Sequence, residues 1–185
     1  MNAPDEQQVI LRVKNGDHGA FRILVERYMR HAYNIAYGFV NNHTDAEDIA
    51  QESFVRVYEA INGFRGDSNF NTWLYRIVTN LSLNKLRQKK AIRSQSIDMM
   101  NEVMLPCAVM PEDGSRAEIQ QNLERALHEL PTLQRAVVIL RHINGLSTKQ
   151  VSSILRCSEG TVKTHLHRGL KKMKEKVSFL KDEFV

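Results

Sequence analysis

An all-α fold is predicted, made of two small helical domains joined by a flexible linker, the carboxy-terminal one a helix-turn-helix domain. Three observations predict it. Apolar residues recur at three- and four-residue spacing along most of the 185 residues, with no sustained two-residue alternation flanked by hairpin turns. Over residues 94–115 that periodicity fails and Pro106, Pro111 and Gly114 punctuate the chain, which marks a tether between a domain at 1–93 and another at 116–185. Beyond Leu146, two helical patterns broken only by Arg156-Cys157-Ser158 have the layout of a rigid helix pair that presents one helix to duplex DNA.

The first domain opens with a short helix from about Gln7, stopped near Asn15-Gly16-Asp17, where Gly supplies a natural C-cap. Phe21, Leu24, Val25, Tyr28, Ala32, Ile35, Ala36 and Phe39 then mark a longer helix ending at Asn41-Asn42-His43. Thr44 and Glu47 have capping-box spacing and open a third helix, whose buried stripe is Ala50, Phe54, Val57, Tyr58 and Ile61. Gly63-Phe64-Arg65-Gly66-Asp67-Ser68 reads as a loop, and a fourth helix runs from about Phe70 to Lys90. The tether is partly apolar. Its Met99, Met100, Val103, Met104, Leu105, Val109 and Met110 suit either docking in a partner groove or simple linkage.

The second domain begins near Arg116 with Ile119, Leu123, Ala126, Leu127 and Leu130 on one face, stopped by Pro131. Leu133, Val137, Leu140 and Arg141 continue as a further helix, and Asn144-Gly145 hands over to the last pair. Ser147 and Gln150 have the spacing to satisfy two amide donors reciprocally ahead of Val151, Ile154 and Leu155. Ser158 is the next N-cap, and Val162, Leu166, Gly169 and Met173 turn inward. At about 100° per residue, Thr164, His167, Arg168 and Lys171 then face outward, flanked by Lys163 and Lys174.

A formal charge of +5 favours a polyanionic partner, because the excess is clustered in Lys85, Arg87, Lys89, Lys90 and Arg93 and again from Lys163 to Lys176. Cys107 and Cys157 stand far apart without a C-x-x-C motif, so neither a zinc site nor a disulfide framework is indicated, and no cofactor is expected. No charged leader followed by an apolar run opens the chain, and no apolar stretch has bilayer-spanning length. A cytoplasmic protein without membrane insertion is expected.

Three faces carry candidate chemistry. Asp45, Asp48, Gln51, Glu52 and Glu59 make one acidic, amide-bearing helix face on an otherwise basic protein, suited to a cationic partner. Phe64, Phe70, Trp73 and Tyr75 surround Arg65, Arg76 and Asn80, and aromatic faces with cations among them suit unpaired bases. Phe64 and Asn80 are the stronger candidates, since core filling accounts for two of Phe70, Trp73 and Tyr75. On the last helix Lys163, Thr164, His167, Arg168 and Lys171 suit the major groove, where hydrogen-bonding tips read base edges and cations neutralise phosphates.

Three motifs carry a resemblance: Asp45-Ala46-Glu47-Asp48-Ile49-Ala50-Gln51-Glu52-Ser53-Phe54, then residues 64–77, and finally Gly145-Leu146-Ser147 through Gly160-Thr161-Val162-Lys163. In order and over nearly the whole chain, they are similar to the extracytoplasmic-function (ECF) sigma factors, in particular the envelope-stress, sigma-E-like type. The resemblance implies a bacterial initiation factor that joins core RNA polymerase and directs it to promoter DNA. It implies that Asp48, Gln51 and Glu52 contact the clamp coiled coil of the largest polymerase subunit. Ala60, Phe64, Ile77 and Asn80 are implied to capture a base flipped from the minus-ten element, and Lys163, Thr164, His167 and Arg168 to read or clamp the minus-thirty-five duplex. An anti-sigma factor is the implied regulator. The physics requires no catalysis by this chain, since base extraction costs about a few kcal/mol that stacking and hydrogen bonding offset.

The chain departs from the family pattern at Lys149-Gln150, where an acidic pair is common, and at Ser152-Ser153 in place of small apolar residues. His165 and His167 stand where Arg or bulky apolar residues are usual, which permits a mild pH response. Two rival readings exist. Residues 161–166 also resemble the recognition helix of free-standing operator-binding regulators, and His43, Asp45 and Asp48 supply donors for a metal-dependent nuclease.

Overall fold

A computed structural model describes residues 5–66, 68–95 and 114–177. Its secondary structure is helical throughout the described residues: α1 (Glu6–Lys14), α2 (His18–Val40), α3 (His43–Ala60), α4 (Phe70–Gln95), α5 (Gly114–His128), α6 (Thr132–Val137), α7 (Thr148–Leu155) and α8 (Glu159–Val177). A 3₁₀ turn, Ile61–Gly63, follows α3, and a π-helical turn, Val138–Ile143, follows α6. Two compact units result, one centred on α1 through the first half of α4, the other on α5 to α8. Helix α4 runs beyond the expected Lys90 and α5 starts at Gly114, so both ends of the expected tether are helical. Residues 96–113, with the Met-rich docking segment and Cys107, lie outside the described residues.

In the first unit, α1 ends at Asn15 and Gly16 takes φ +86°, a left-handed turn that favours glycine. Asp17 caps α2 by accepting from the Ala20 N–H at 3.0 Å and pairs with Arg12 at 2.8 Å. Those two partners, the amide first, hold its carboxyl below the usual carboxylate range. Helix α2 stops at Asn41, φ +49°, and Asn42 turns extended and accepts from the Asp45 N–H at 2.9 Å. The cap of α3 is therefore Asn42, not the expected Thr44 and Glu47 pair. With only two residues between them, α2 and α3 pack as antiparallel neighbours.

Leu24, Ile35, Phe39, Val57, Phe70, Leu74 and Val78 are fully enclosed, and Val9 and Val13 tie α1 to the same core. Tyr28 links α2 to both neighbours: its ring lies 5.3 Å from that of Phe70, and its hydroxyl donates to the Glu6 carboxylate. Burial, then that carboxylate, raises the Tyr28 hydroxyl well above its ordinary pKa. Tyr58, expected in the buried stripe of α3, is 45% exposed instead. Its ring meets the edge of Phe21 at 5.1 Å and lies parallel to His18 at 6.0 Å, so only one side is covered.

In the second unit, α8 packs on α5, α6 and the π turn. Val137, Val138, Ile139 and Leu140 are all enclosed, a continuous run that a plain amphipathic helix would not bury. Leu133, expected on the inner face, is 38% exposed, whereas Gln134 is buried. Arg135 caps the end of α5, donating to the carbonyls of His128 and, at 3.3 Å, Leu130. Asn144 ends the π turn by returning its backbone and side-chain N–H groups to the Ile139 carbonyl at 3.0 and 2.8 Å.

Candidate nucleic-acid interface

The inner side of α3 is Ala46, Ile49, Ala50, Ser53, Phe54 and Val57. At about 100° per residue the opposite side falls to Asp48, Gln51, Glu52, Val55 and Glu59, and all five are exposed. The expected trio Asp48, Gln51 and Glu52 thus shares one face. Two features of that face escaped the sequence reading. Val55 is 57% exposed in the middle of the carboxylates, one turn beyond Gln51 and Glu52. Arg56 holds Glu52 through its Nη2 and Nε at 2.7 and 3.1 Å, an exposed pair on this face. The four-residue spacing of Glu52 and Arg56 was the available signal.

On α4 the buried stripe is Phe70, Leu74, Tyr75, Val78 and Ser82. Trp73, Arg76, Ile77 and Asn80 project from the other side, the first three partly covered and Asn80 exposed. Phe70 and Tyr75 fill the core, as expected for two of the three aromatics. Phe64 departs from the expectation of an accessible loop residue, being only 9% exposed. Its ring packs on Trp73 at 5.0 Å with a 34° tilt and meets Phe70 nearly edge-on at 6.0 Å. The loop around it is tied at both ends. The Phe64 N–H donates to the Ile61 carbonyl at 3.1 Å, and Lys14 Nζ donates to the Phe64 carbonyl at 2.5 Å. Arg65 and Ala60 flank this segment and are exposed, and Gly66 follows at φ +81°.

The helix-turn-helix is built by its caps. Ser147 N–H donates to Gln150 Oε1 at 2.8 Å while Gln150 N–H donates to Ser147 Oγ at 3.2 Å, the reciprocal pair the spacing predicts. Arg156 makes the turn with φ +53°, and Ser152 Oγ donates to the Cys157 carbonyl at 2.6 Å. Ser158 Oγ then accepts from the Thr161 N–H at 3.0 Å and starts α8. Val162 and Gly169 are buried, and a Cβ at Gly169 would sit 2.9 Å from Val138 Cγ2, so glycine permits the close approach. Lys163, Thr164, His167, Arg168 and Lys171 are all exposed on the far side. Thr164 spends its hydroxyl proton on the Gly160 carbonyl at 2.9 Å, which leaves its oxygen lone pairs outward as acceptors. Lys171 has Glu175 at 4.0 Å, a weak contact between exposed groups.

The metal reading loses its histidine to an aromatic stack: the His43 ring lies 4.7 Å from Tyr37, with its Nδ1 2.5 Å from the Tyr33 hydroxyl. Among the described residues no three His, Cys, Asp or Glu side chains are grouped to hold a metal ion. No helix among them is long and apolar enough to cross a membrane.

Comparison with known proteins covers both units. Residues 24–92 match the family model of sigma-70 region 2, and residues 120–173 that of sigma-70 region 4. Over 177 residues the chain is 34% identical to the ECF RNA polymerase sigma factor SigW of Bacillus subtilis, covering 91% of this chain and 94% of that protein. Over 184 residues it is 33% identical to the ECF RNA polymerase sigma-E factor of Salmonella typhimurium, covering 93% and 94%. Among solved structures, the sigma factor RpoE bound to the anti-sigma factor NepR, from Bartonella quintana, has a TM-score of 0.69 at 23% identity, covering 85% of this chain and 96% of that one. That last likeness is one of fold. Both region matches in series on one chain favour the polymerase-dependent reading over a free-standing operator binder.

Proposed function

The chain belongs to the extracytoplasmic-function RNA polymerase sigma factors, and on that premise we propose how its surfaces divide the work of promoter-specific initiation. Asp48, Gln51 and Glu52 bind the clamp coiled coil of the largest polymerase subunit, with Val55 supplying an apolar contact among the charges. Phe64, Ala60, Ile77 and Asn80 receive a base extracted from the minus-ten element. Trp73 backs Phe64, and Arg65 and Arg76 steer the phosphodiester backbone. Lys163, Thr164, His167, Arg168 and Lys171 hold the minus-thirty-five duplex. The carrying observation is that each of these sets, Phe64 apart, lies on a helix face or loop turned away from the buried stripe.

Phe64 acts from its enclosed position. A buried ring packed at a tilt on Trp73 is a rigid wall for a base, and rigidity lowers the ordering cost of binding. The nucleotidyl transfer belongs to polymerase, and this chain contributes recognition and strand opening without enzymatic chemistry of its own. Its place of action is the cytoplasm, and an anti-sigma factor that covers the polymerase-binding surfaces is its regulator.

Transcription from a promoter template by core polymerase plus this chain tests the division, with permanganate reactivity reporting unpaired thymines. Glu52→Lys is expected to weaken polymerase association. Asn80→Ala is expected to leave association intact and reduce strand opening. Equal loss of both steps in both variants overturns the division, and promoter opening by the chain without polymerase overturns the function.

A further inference from the structure

We propose that Lys14 is a positioning residue for recognition of the unpaired base, acting through the Phe64 loop without touching DNA; this rests on the minus-ten role proposed above. Lys14 is the last residue of α1, which carries none of the expected DNA or polymerase contacts. Its half-buried ammonium reaches across 50 residues of sequence to the Phe64 carbonyl at 2.5 Å. A charge-assisted bond of that length, partly sheltered from water, fixes the orientation of the peptide plane that joins Phe64 to Arg65. The N–H of Phe64 is already held by the Ile61 carbonyl, so both backbone polar groups of this residue are fixed, and with them the tilt of its ring on Trp73. Two residues beyond it, Gly66 takes φ +81°, a left-handed conformation that favours glycine.

The anchor is itself rigid. Val9, Ile10 and Val13 of α1 are buried, and the helix stays packed on α2 and on the 3₁₀ turn that precedes Phe64. Removing one donor therefore loosens the loop without dissolving the helix that carries it. The consequence is specific: the fit of the captured base changes, whereas the acidic face of α3 keeps its geometry.

The test uses the full-length chain assembled with core polymerase, probed with single-stranded DNA 12-mers selected by the unaltered holoenzyme from a random pool and then substituted base by base. Lys14→Met keeps the aliphatic stem and removes the donor. It is expected to reduce discrimination at one base position by about five- to tenfold, less than the full worth of a charge-assisted hydrogen bond because Lys14 acts through the loop and not on the base, with polymerase affinity unchanged. Lys14→Arg restores both the donor and the discrimination. In the free chain, Trp73 is the sole tryptophan and packs on Phe64, so its emission is expected to shift to the red in Lys14→Met and return in Lys14→Arg. Full discrimination by Lys14→Met, with Asn80→Ala defective, overturns this proposal and leaves the minus-ten reading standing. Full discrimination by both variants overturns the two together. Equal weakening at every base, or loss of polymerase binding, assigns Lys14 a general structural role and overturns the proposal.

Discussion

Substituting Gly169 by alanine tests the packing that orients α8, the helix proposed to hold the duplex, because two opposite effects meet there and the structure decides their sign. Gly169 has helical backbone geometry inside α8, where alanine ordinarily stabilises by about 1 kcal/mol. Here the added Cβ would fall 2.9 Å from Val138 Cγ2 and 3.6 Å from the Gln134 Cβ and carbonyl oxygen. Carbon atoms prefer separations of roughly 3.5–4.0 Å, so the pair must part by at least about half an ångström. Val138 cannot yield easily, since it is fully enclosed and a β-branched side chain in a helix has one preferred rotamer. Overpacking of this kind costs about 2–3 kcal/mol, leaving a net loss of about 1–2 kcal/mol. Amide exchange within α8 is the assay, with protection expected to fall about 5- to 30-fold. Val138→Ala removes the obstructing methyl, so Gly169→Ala should cost less in that background, a coupling readable from a double-mutant cycle. Slower exchange in Gly169→Ala alone would refute the reasoning.

Arg56→Gln should leave the unfolding midpoint nearly unchanged, because the Arg56–Glu52 pair is exposed, yet tighten polymerase association a few-fold by freeing Glu52; a binding titration decides. Lys171→Ala should lower affinity for all minus-thirty-five sequences alike and reduce the slope of log affinity against log salt by about 0.9, measured by anisotropy at several salt concentrations. His128 predicts acid sensitivity of the second unit: burial, then Arg135, lowers its pKa to about 4, so the fold holds it neutral while the unfolded chain takes up a proton below about 6.5. Stability is therefore undiminished above that value, falls by about 1–2 kcal/mol as pH drops to 5 for this half-buried group, and stops falling on this account below about 4; exchange protection of α5 and α6 against pH should show this, and His128→Asn should flatten it.

The elements that local chemistry dictates were legible in the sequence, and those set by distant partners were not. Ser147, Gln150 and Ser158 act over three residues, and each cap forms as their spacing predicts. Ahead of α3, three cap-competent residues, Asn41, Asn42 and Thr44, compete: Asn41 takes the left-handed turn, Asn42 becomes extended, and the cap lies two residues before Thr44. Leu133 turns outward and Gln134 inward because α6 has only six residues and runs into a π turn, whose extra residue per hydrogen bond rotates the register. Glycines on either side of Phe64 announce a loop correctly, but its ring is enclosed by Trp73 and Phe70, which the local pattern cannot reveal. The Lys14 anchor spans 50 residues and has no local signal at all.

Placing the candidate groups away from the buried stripes has a consequence for how substitutions separate. Glu52, Asn80 and Lys171 are exposed, so changing them removes little packing, and their effects should appear in binding or strand opening with the fold intact. Gly169 and Phe64 are different. Each lies under the working surface, one setting the distance of α8 from its support and the other backing the loop against Trp73. Phe64→Ala should therefore lower the stability of the first unit by about 3–5 kcal/mol, the usual range for losing a buried phenylalanine, together with strand opening, whereas Asn80→Ala should affect opening alone. Urea unfolding followed by Trp73 emission, set beside permanganate reactivity, resolves the two. Phe64→Ala that unfolds as the unaltered chain does would mean that the ring is not held by its neighbours.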